Sequence, residues 1–339
     1  MSGGGRRFFH ELVHSKTTEG DSQTRFHMPG RWSLELSPTG LLKAGSVTAR
    51  LLPSLPAGTR IYLPALPTDP PDAIERALTL LRREGAGTLI PVPHVAATRV
   101  ESSAELERTL CAWQRASCDA VHETLVVRGD PRAHHGSLGS ARQVAAAGSG
   151  PFGCSLDLLE SGLLQRCGVG AVSLCGHPEG VGDLSCDAAS AALVPKLQWA
   201  DASGVAARVV TQFCFDAPTT TAYVDSLRAL GVTAAVNVGL VGPSTLDLRT
   251  RMAARCGVAL PMEDGIDGGG GGSKGKERLQ WPSAHMRTLA AWQQARGPTA
   301  GVQAIHVYPF GGLARTLEWL HDDEGMAEGW PRGPQDEAA

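Results

Sequence analysis

Glu35 stands in the apolar run WSLELSP (residues 32–38), between Leu34 and Leu36. If that run is a buried strand with Glu35 facing the mouth of a barrel, desolvation raises the carboxyl pKa and suits it to act as a general acid near neutrality. If Glu35 faces outward, it is a salt-bridged or solvated strand carboxylate. Other reactive residues stand in the same setting, each just after an apolar run. They are His94 in PVPHVAA (91–97), Arg128-Gly129-Asp130-Pro131 after ETLVV, His177 in LCGHPEG (174–180), and Gln212 in TQFCFD (211–216). An Arg and an Asp displayed together after a buried strand suit recognition of an anion or a heterocycle. An amide beside aromatic rings, as Gln212 is beside Phe213 and Phe215, suits a flat hydrogen-bonding ligand such as a pterin or a flavin. Against these stands the reading of both phenylalanines as core.

Several motifs invite readings that their surroundings oppose. Arg128-Gly129-Asp130 is an adhesive tripeptide only on an extracellular loop tip, and nothing else here is extracellular; as Gly-Asp-Pro it also makes an ordinary turn. His177 with Glu179 has the His-x-Glu of zinc deaminases, but the downstream Pro-Cys-x-x-Cys is missing and Cys175 with Cys186 lacks ligand spacing. No metal is expected. There is neither a glycine-rich dinucleotide fingerprint after a first strand nor a P-loop, so any nucleotide cofactor is held without a Rossmann turn.

These residues need elements to carry them. Eight apolar runs read as strands: Trp32–Leu36, Arg60–Leu63, Thr88–Val92, Thr124–Val127, Ala171–Leu174, Arg208–Gln212, Ala234–Gly239 and Ala304–Tyr308. They are continuously apolar rather than alternating, as parallel strands buried on both faces should be. Helical patterns lie between them. Residues 72–85 place Ile74, Leu78 and Leu81 on one face and stop at Gly85; residues 102–113 open with a capping box, Ser102 with Glu105, and align Leu106, Leu110 and Trp113. Residues 219–231 align Tyr223, Leu227 and Leu230 before Gly231. Strand and helix alternating in this way predict an α/β fold, a (β/α)8 TIM barrel, with a doubly wound open sheet as the alternative. In a barrel the groups that follow the strands gather at one end, and that is where chemistry is expected.

The bulk composition agrees with one large folded unit. Of 339 residues, 42% are hydrophobic and 19% charged, so a core is affordable and disorder is not the default. A net charge of -3 without a basic stripe argues against nucleic-acid binding. No apolar run is long enough to span a bilayer. The eight cysteines are scattered and read as small buried hydrophobes in a reducing compartment. The expected location is the cytoplasm, with an organelle transit peptide as the alternative for the amino terminus. Residues 1–28 read as a flexible lead-in, 29–321 as a single catalytic domain, 264–278 as a glycine-rich insertion and 322–339 as an acidic tail. A homo-oligomer is compatible with all of this.

Taken in order, LEL-SP, PHVA, VVRGDP, GHPEG, Lys196, VTQFCFD and IHVYPFGG resemble the methylenetetrahydrofolate reductase family, over roughly residues 30–320. The likeness is to its short, single-domain bacterial-type members. The resemblance implies reduction of methylenetetrahydrofolate to methyltetrahydrofolate by NADH or NADPH through FAD, in one-carbon and methionine metabolism. It implies that Glu35 protonates the folate nitrogen and that Asp130 tunes charge near flavin and pterin. It further implies that Gln212 and Phe215 hold the folate, and that His94, Arg128, Gly129, Asp130, His177 and Lys196 line the flavin. The departures fall on the flavin side. Leu36 and Ser37 replace two aromatics, His177 a tyrosine, Val181 a histidine, and Ala189 and Ala192 polar contacts. Two alternatives follow, a flavin-independent folate reductase and a non-catalytic folate- or flavin-binding subunit of a larger complex.

Overall fold

The chain was analysed as a computed structural model, which describes residues 32–85, 87–129, 150–260, 279–297 and 301–321. Eight parallel strands form a closed barrel: β1 (Trp32–Glu35), β2 (Arg60–Leu63), β3 (Ile90–Ala96), β4 (Glu123–Val127), β5 (Ala171–Gly176), β6 (Ala206–Thr211), β7 (Ala235–Val241) and β8 (Val302–Tyr308). Closure is made by β1, which pairs with β2 on one side (Leu34 opposite Ile61) and with β8 on the other (Trp32 opposite Ile305). That second pairing excludes the doubly wound open sheet, whose first and last strands stay apart. The predicted lead-in (1–28), the glycine-rich insertion (264–278), the acidic tail (322–339) and Asp130 lie outside the described residues.

The helices are α1 (Pro38–Leu42), α2 (Val47–Leu51), α3 (Ala73–Glu84), α4 (Ser103–Ser117), α5 (Ser155–Glu160), α6 (Leu163–Arg166), α7 (Cys186–Ala202), α8 (Ala217–Ala229), α9 (Leu246–Cys256), α10 (Ser283–Arg296) and α11 (Leu313–His321). Their ends follow local chemistry. Ser102 caps α4 by accepting from the Glu105 N–H at 3.1 Å, while the Glu105 carboxylate reaches back to the Glu101 N–H at 2.6 Å. That is one residue earlier than the predicted capping box would have it. Gly85 ends α3 with its N–H on the Leu81 carbonyl at 2.8 Å. Ile74, Leu78 and Leu81 are buried as expected, and so are Leu106, Leu110 and Trp113. Leu230 departs from its predicted stripe and is 51% exposed, because α8 stops at Ala229. The cysteines depart too. All eight are free thiols, yet only Cys214 is buried, and Cys111 and Cys118 are exposed on the outer helix α4 and its cap. No helix among the described residues is long and apolar enough to cross a membrane.

The strands separate an outer core from an inner one. Leu34, Ile61, Leu63, Val209, Ile305 and Val307 join the outer core, shared by barrel and helices. Tyr62, Val92, Leu125 and Val210 form a separate cluster inside the barrel. The strands thus turn one face to the outer core and the other to an interior where this cluster sits with polar side chains such as Ser33, Glu35 and His306. Where β6 and β7 meet, no side chain fits. The Gly239 N–H donates to Thr211 Oγ1 at 2.7 Å, and a Cβ at Gly239 would fall 2.4 Å from the Thr211 carbonyl oxygen and 2.8 Å from the Gln212 carbonyl carbon. Both are backbone atoms, which cannot turn aside. Gly239→Ala is expected to cost about 1–3 kcal/mol as overpacking. Its urea midpoint relative to the unaltered chain checks this, and an unchanged midpoint would contradict the packing described.

Candidate active site

The inward positions of the strands build the site. Glu35 ends β1, and its carboxylate Oε2 lies 3.8 Å from His94 Nε2 and 3.8 Å from His306 Nε2. His94 comes from the middle of β3 and His306 from β8, and both are buried. Among the described residues neither Nε2 has a hydrogen-bond partner. The other nitrogen of His306, Nδ1, is 2.9 Å from Ser33 Oγ, two residues before Glu35 on the same inward face of β1. His306 is further held between two rings in edge-to-face contact, Tyr62 at 4.6 Å and Tyr308 at 4.8 Å between centroids. Glu35 and His94, both singled out from the sequence, meet here with His306, to which the sequence gives no role. The signal for it was its place two residues after Ala304 in a strand, on the same side as Tyr308.

Burial decides which of these groups exchange protons. It pushes His94 down to about 4, against the pull of Glu35 and with the help of His306. His94 is therefore neutral near pH 7, and its approach to Glu35 is not an ion pair. Burial pushes the Cys175 thiol up to about 12, so it stays protonated and is a poor nucleophile. Tyr308 is raised well above its usual range by burial and then by Glu35, and its hydroxyl is engaged, donating to the Thr211 carbonyl at 3.1 Å.

The remaining predicted residues divide between a second wall and the packed interior. Lys196, on α7, is lowered by burial, partly offset by Cys175 and Cys154. His177 is pushed down to about 4 by burial and then by Lys196, and its N–H donates to the Tyr223 hydroxyl at 3.2 Å. The Lys196 ammonium thus lies near both Cys175 and His177 on the β5 side. Arg128 is exposed, and its carbonyl accepts from Thr98 through both the N–H at 2.9 Å and Oγ1 at 3.0 Å. Gly129, at φ +79°, leaves no room for a Cβ, which would meet Ala96 Cβ at 2.8 Å. Gln212 turns its Oε1 onto the Phe213 N–H at 3.0 Å. Phe215 is buried in a cluster with Phe213, Val241 and Tyr308, and the Arg249 guanidinium lies 4.6 Å over its ring. Glu179 joins two loops, accepting from Cys214 Sγ at 3.1 Å and from the Ala259 N–H at 2.5 Å. No group of three or more His, Cys, Asp or Glu among the described residues is arranged to hold a metal ion.

His94, His177 and His285 are each lowered by burial from 6.5 to about 4. Across that interval the unfolded chain binds protons that the native chain refuses. Stability is therefore fully present above about pH 6.5 and falls as the pH drops toward 4. Urea midpoints at about pH 7, 5.5 and 4.5 should decline in that order, and His94→Gln should flatten the decline. A midpoint that rises on acidification would contradict the assigned direction.

No protein-family model matches the chain. Solved structures similar to it include TsXylA, an intracellular xylanase from Thermoanaerobacterium saccharolyticum JW/SL-YS485, at 10% identity and a TM-score of 0.43, covering 84% of this chain and 90% of that one. A β-mannanase from Thermomonospora fusca matches at 10% identity and a TM-score of 0.42, covering 86% of this chain and 82% of that one. At this distance neither supplies a substrate for this chain. These findings correct the functional expectation. No reductase family model is matched, and the proteins named are a xylanase and a mannanase rather than folate oxidoreductases. The methylenetetrahydrofolate reductase activity, its flavoprotein and one-carbon setting, and the folate-binding alternatives are withdrawn.

Proposed function

We propose that the protein is an enzyme catalysing proton transfer to or from a small organic substrate at the C-terminal mouth of the barrel, with Glu35 as the general acid–base. The observation that carries this is the convergence on one carboxylate oxygen, each at 3.8 Å, of two buried imidazole Nε2 atoms that have no hydrogen-bond partner among the described residues. A buried polar atom without a partner is costly, and such atoms gather where a ligand or a transition state completes the bonding. His306, oriented by Ser33, stands beside the carboxylate as it gains or loses its proton. His94 contributes a neutral ring that neither competes for the proton nor neutralises Glu35. Lys196 and His177, on the β5 side, supply the polar groups that orient the substrate.

The test is a small-molecule screen for turnover or for exchange of solvent deuterium into the compound, run on the full chain. Compounds processed by the unaltered protein should bind to Glu35→Gln without being processed. A Glu35→Gln protein that processes them at the original rate would overturn the proposal.

A further inference from the structure

The N-terminal end of the barrel holds a polar cluster that the proton-transfer reading does not use. Glu123, at the start of β4, is buried and accepts three hydrogen bonds: from Arg60 Nε on β2 at 3.1 Å, from Arg208 Nε on β6 at 2.7 Å, and from Ser173 Oγ on β5 at 2.6 Å. Arg208 also reaches Gln303 Oε1 at 3.2 Å, which brings in β8. A carboxylate only accepts, so the Ser173 hydroxyl proton points to Glu123. The Tyr62 hydroxyl, 2.9 Å from Ser173 Oγ, must then donate to Ser173. The order of donors runs one way, from Tyr62 to Ser173 to Glu123.

At the other end of this chain of bonds, the Tyr62 ring meets His306 edge-on at 4.6 Å, with 74° between the planes, and lies 6.2 Å from the His94 ring. Among the described residues His306 has one hydrogen bond, through Nδ1, and its Nε2 has none. A single bond leaves the ring free to tilt, so the direction of Nε2 toward Glu35 depends on the rings packed beside it. Of those, the Tyr308 ring is fixed from the mouth by the Thr211 carbonyl, and the Tyr62 ring is fixed from the floor.

We propose that Tyr62 and Glu123 are positioning residues for the Glu35–His306 pair. The ionic cluster on the barrel floor fixes Ser173, Ser173 fixes the Tyr62 hydroxyl, and the Tyr62 ring sets the angle at which His306 faces Glu35. The role assigned to that pair rests on the proton-transfer reading. The geometric coupling does not.

The experiment is nitrogen NMR on the full chain labelled in its histidines, with the His306 signals assigned by their loss in His306→Gln. Tyr62→Phe keeps the ring and removes the hydroxyl, Ser173→Ala removes the middle link, and Tyr62→Leu removes the ring. In all three the His306 Nδ1 and Nε2 resonances are expected to move or broaden, most in Tyr62→Leu. Turnover of any compound found by the screen should fall about tenfold or more in Tyr62→Leu with little change in KM, as expected of a misaligned catalytic group. Unmoved His306 resonances in folded Tyr62→Phe and Ser173→Ala would overturn the proposal, and these milder variants decide the matter if Tyr62→Leu does not fold. A Glu35→Gln protein that still turned over would overturn the proton-transfer reading alone, since the resonances are read without substrate.

Discussion

Glu123→Ala is expected to lower folding stability by about 3–5 kcal/mol, the usual cost of removing one partner from a buried charge cluster. The carboxylate side chain is 5% exposed and stands between two arginines whose side chains are 26% and 16% exposed. Without it, Arg60 and Arg208 face each other on the barrel floor with no counter-charge, and Ser173 loses its acceptor. The loss should therefore exceed that of deleting one hydrogen bond, which is about 1 kcal/mol. Glu123→Gln, which retains acceptor capacity but no charge, should fall between the two. Urea denaturation at neutral pH measures both. The Arg83–Glu84 pair, with side chains 70% and 36% exposed, is the control, and Arg83→Ala should change little because solvent already screens that charge. Equal effects at the two sites would contradict the picture of a buried network joining four strands.

Glu35→Gln is expected to reduce turnover about 10²- to 10⁴-fold, the range supplied by a positioned general acid or base. The amide keeps the size of the side chain and its place at the end of β1, so binding should persist, with kcat carrying the loss and KM little altered. His306→Gln should reproduce part of the effect. Ser33→Ala should have a smaller one, since it removes only the bond that orients the ring, 2.9 Å from His306 Nδ1. His94→Gln separates two roles. If His94 acts as a neutral partner, as its depression to about 4 implies, the variant should weaken turnover without shifting the acidic limb of the pH–rate profile. A shifted limb would show that His94 itself titrates in the reaction.

What the sequence determined by itself was the succession of elements and their approximate ends. Arg60–Leu63 was read to the residue, and the other strands differ at one or both ends, as β3 does by running on to Ala96. Capping groups such as Ser102 and stop signals such as Gly85 act within one helical turn, so their consequences are local and readable. Glu35 and His94 were legible for a related reason, since a polar residue inside an apolar run must be accommodated somewhere. The order of motifs, by contrast, carried an activity that did not stand, because function resides in a site and not in the fold that bears it.

Only the tertiary structure decided which way each strand residue points. The outer face of each strand joins one continuous core, while the inner face mixes apolar and polar side chains, so which of Ser33, Glu35, His94 and His306 meet is not written in any one strand. The partnerships that follow are all long-range. Ser33 meets His306 across 273 positions, and Glu123 meets Arg60 and Arg208 across 63 and 85. The protonation of His94 and Cys175 belongs to the same class, because burial by other strands sets it more than any adjacent residue does. Closing the barrel brings these side chains into one interior. There Glu35 meets His94 and His306, neighbours that no local window of sequence contains.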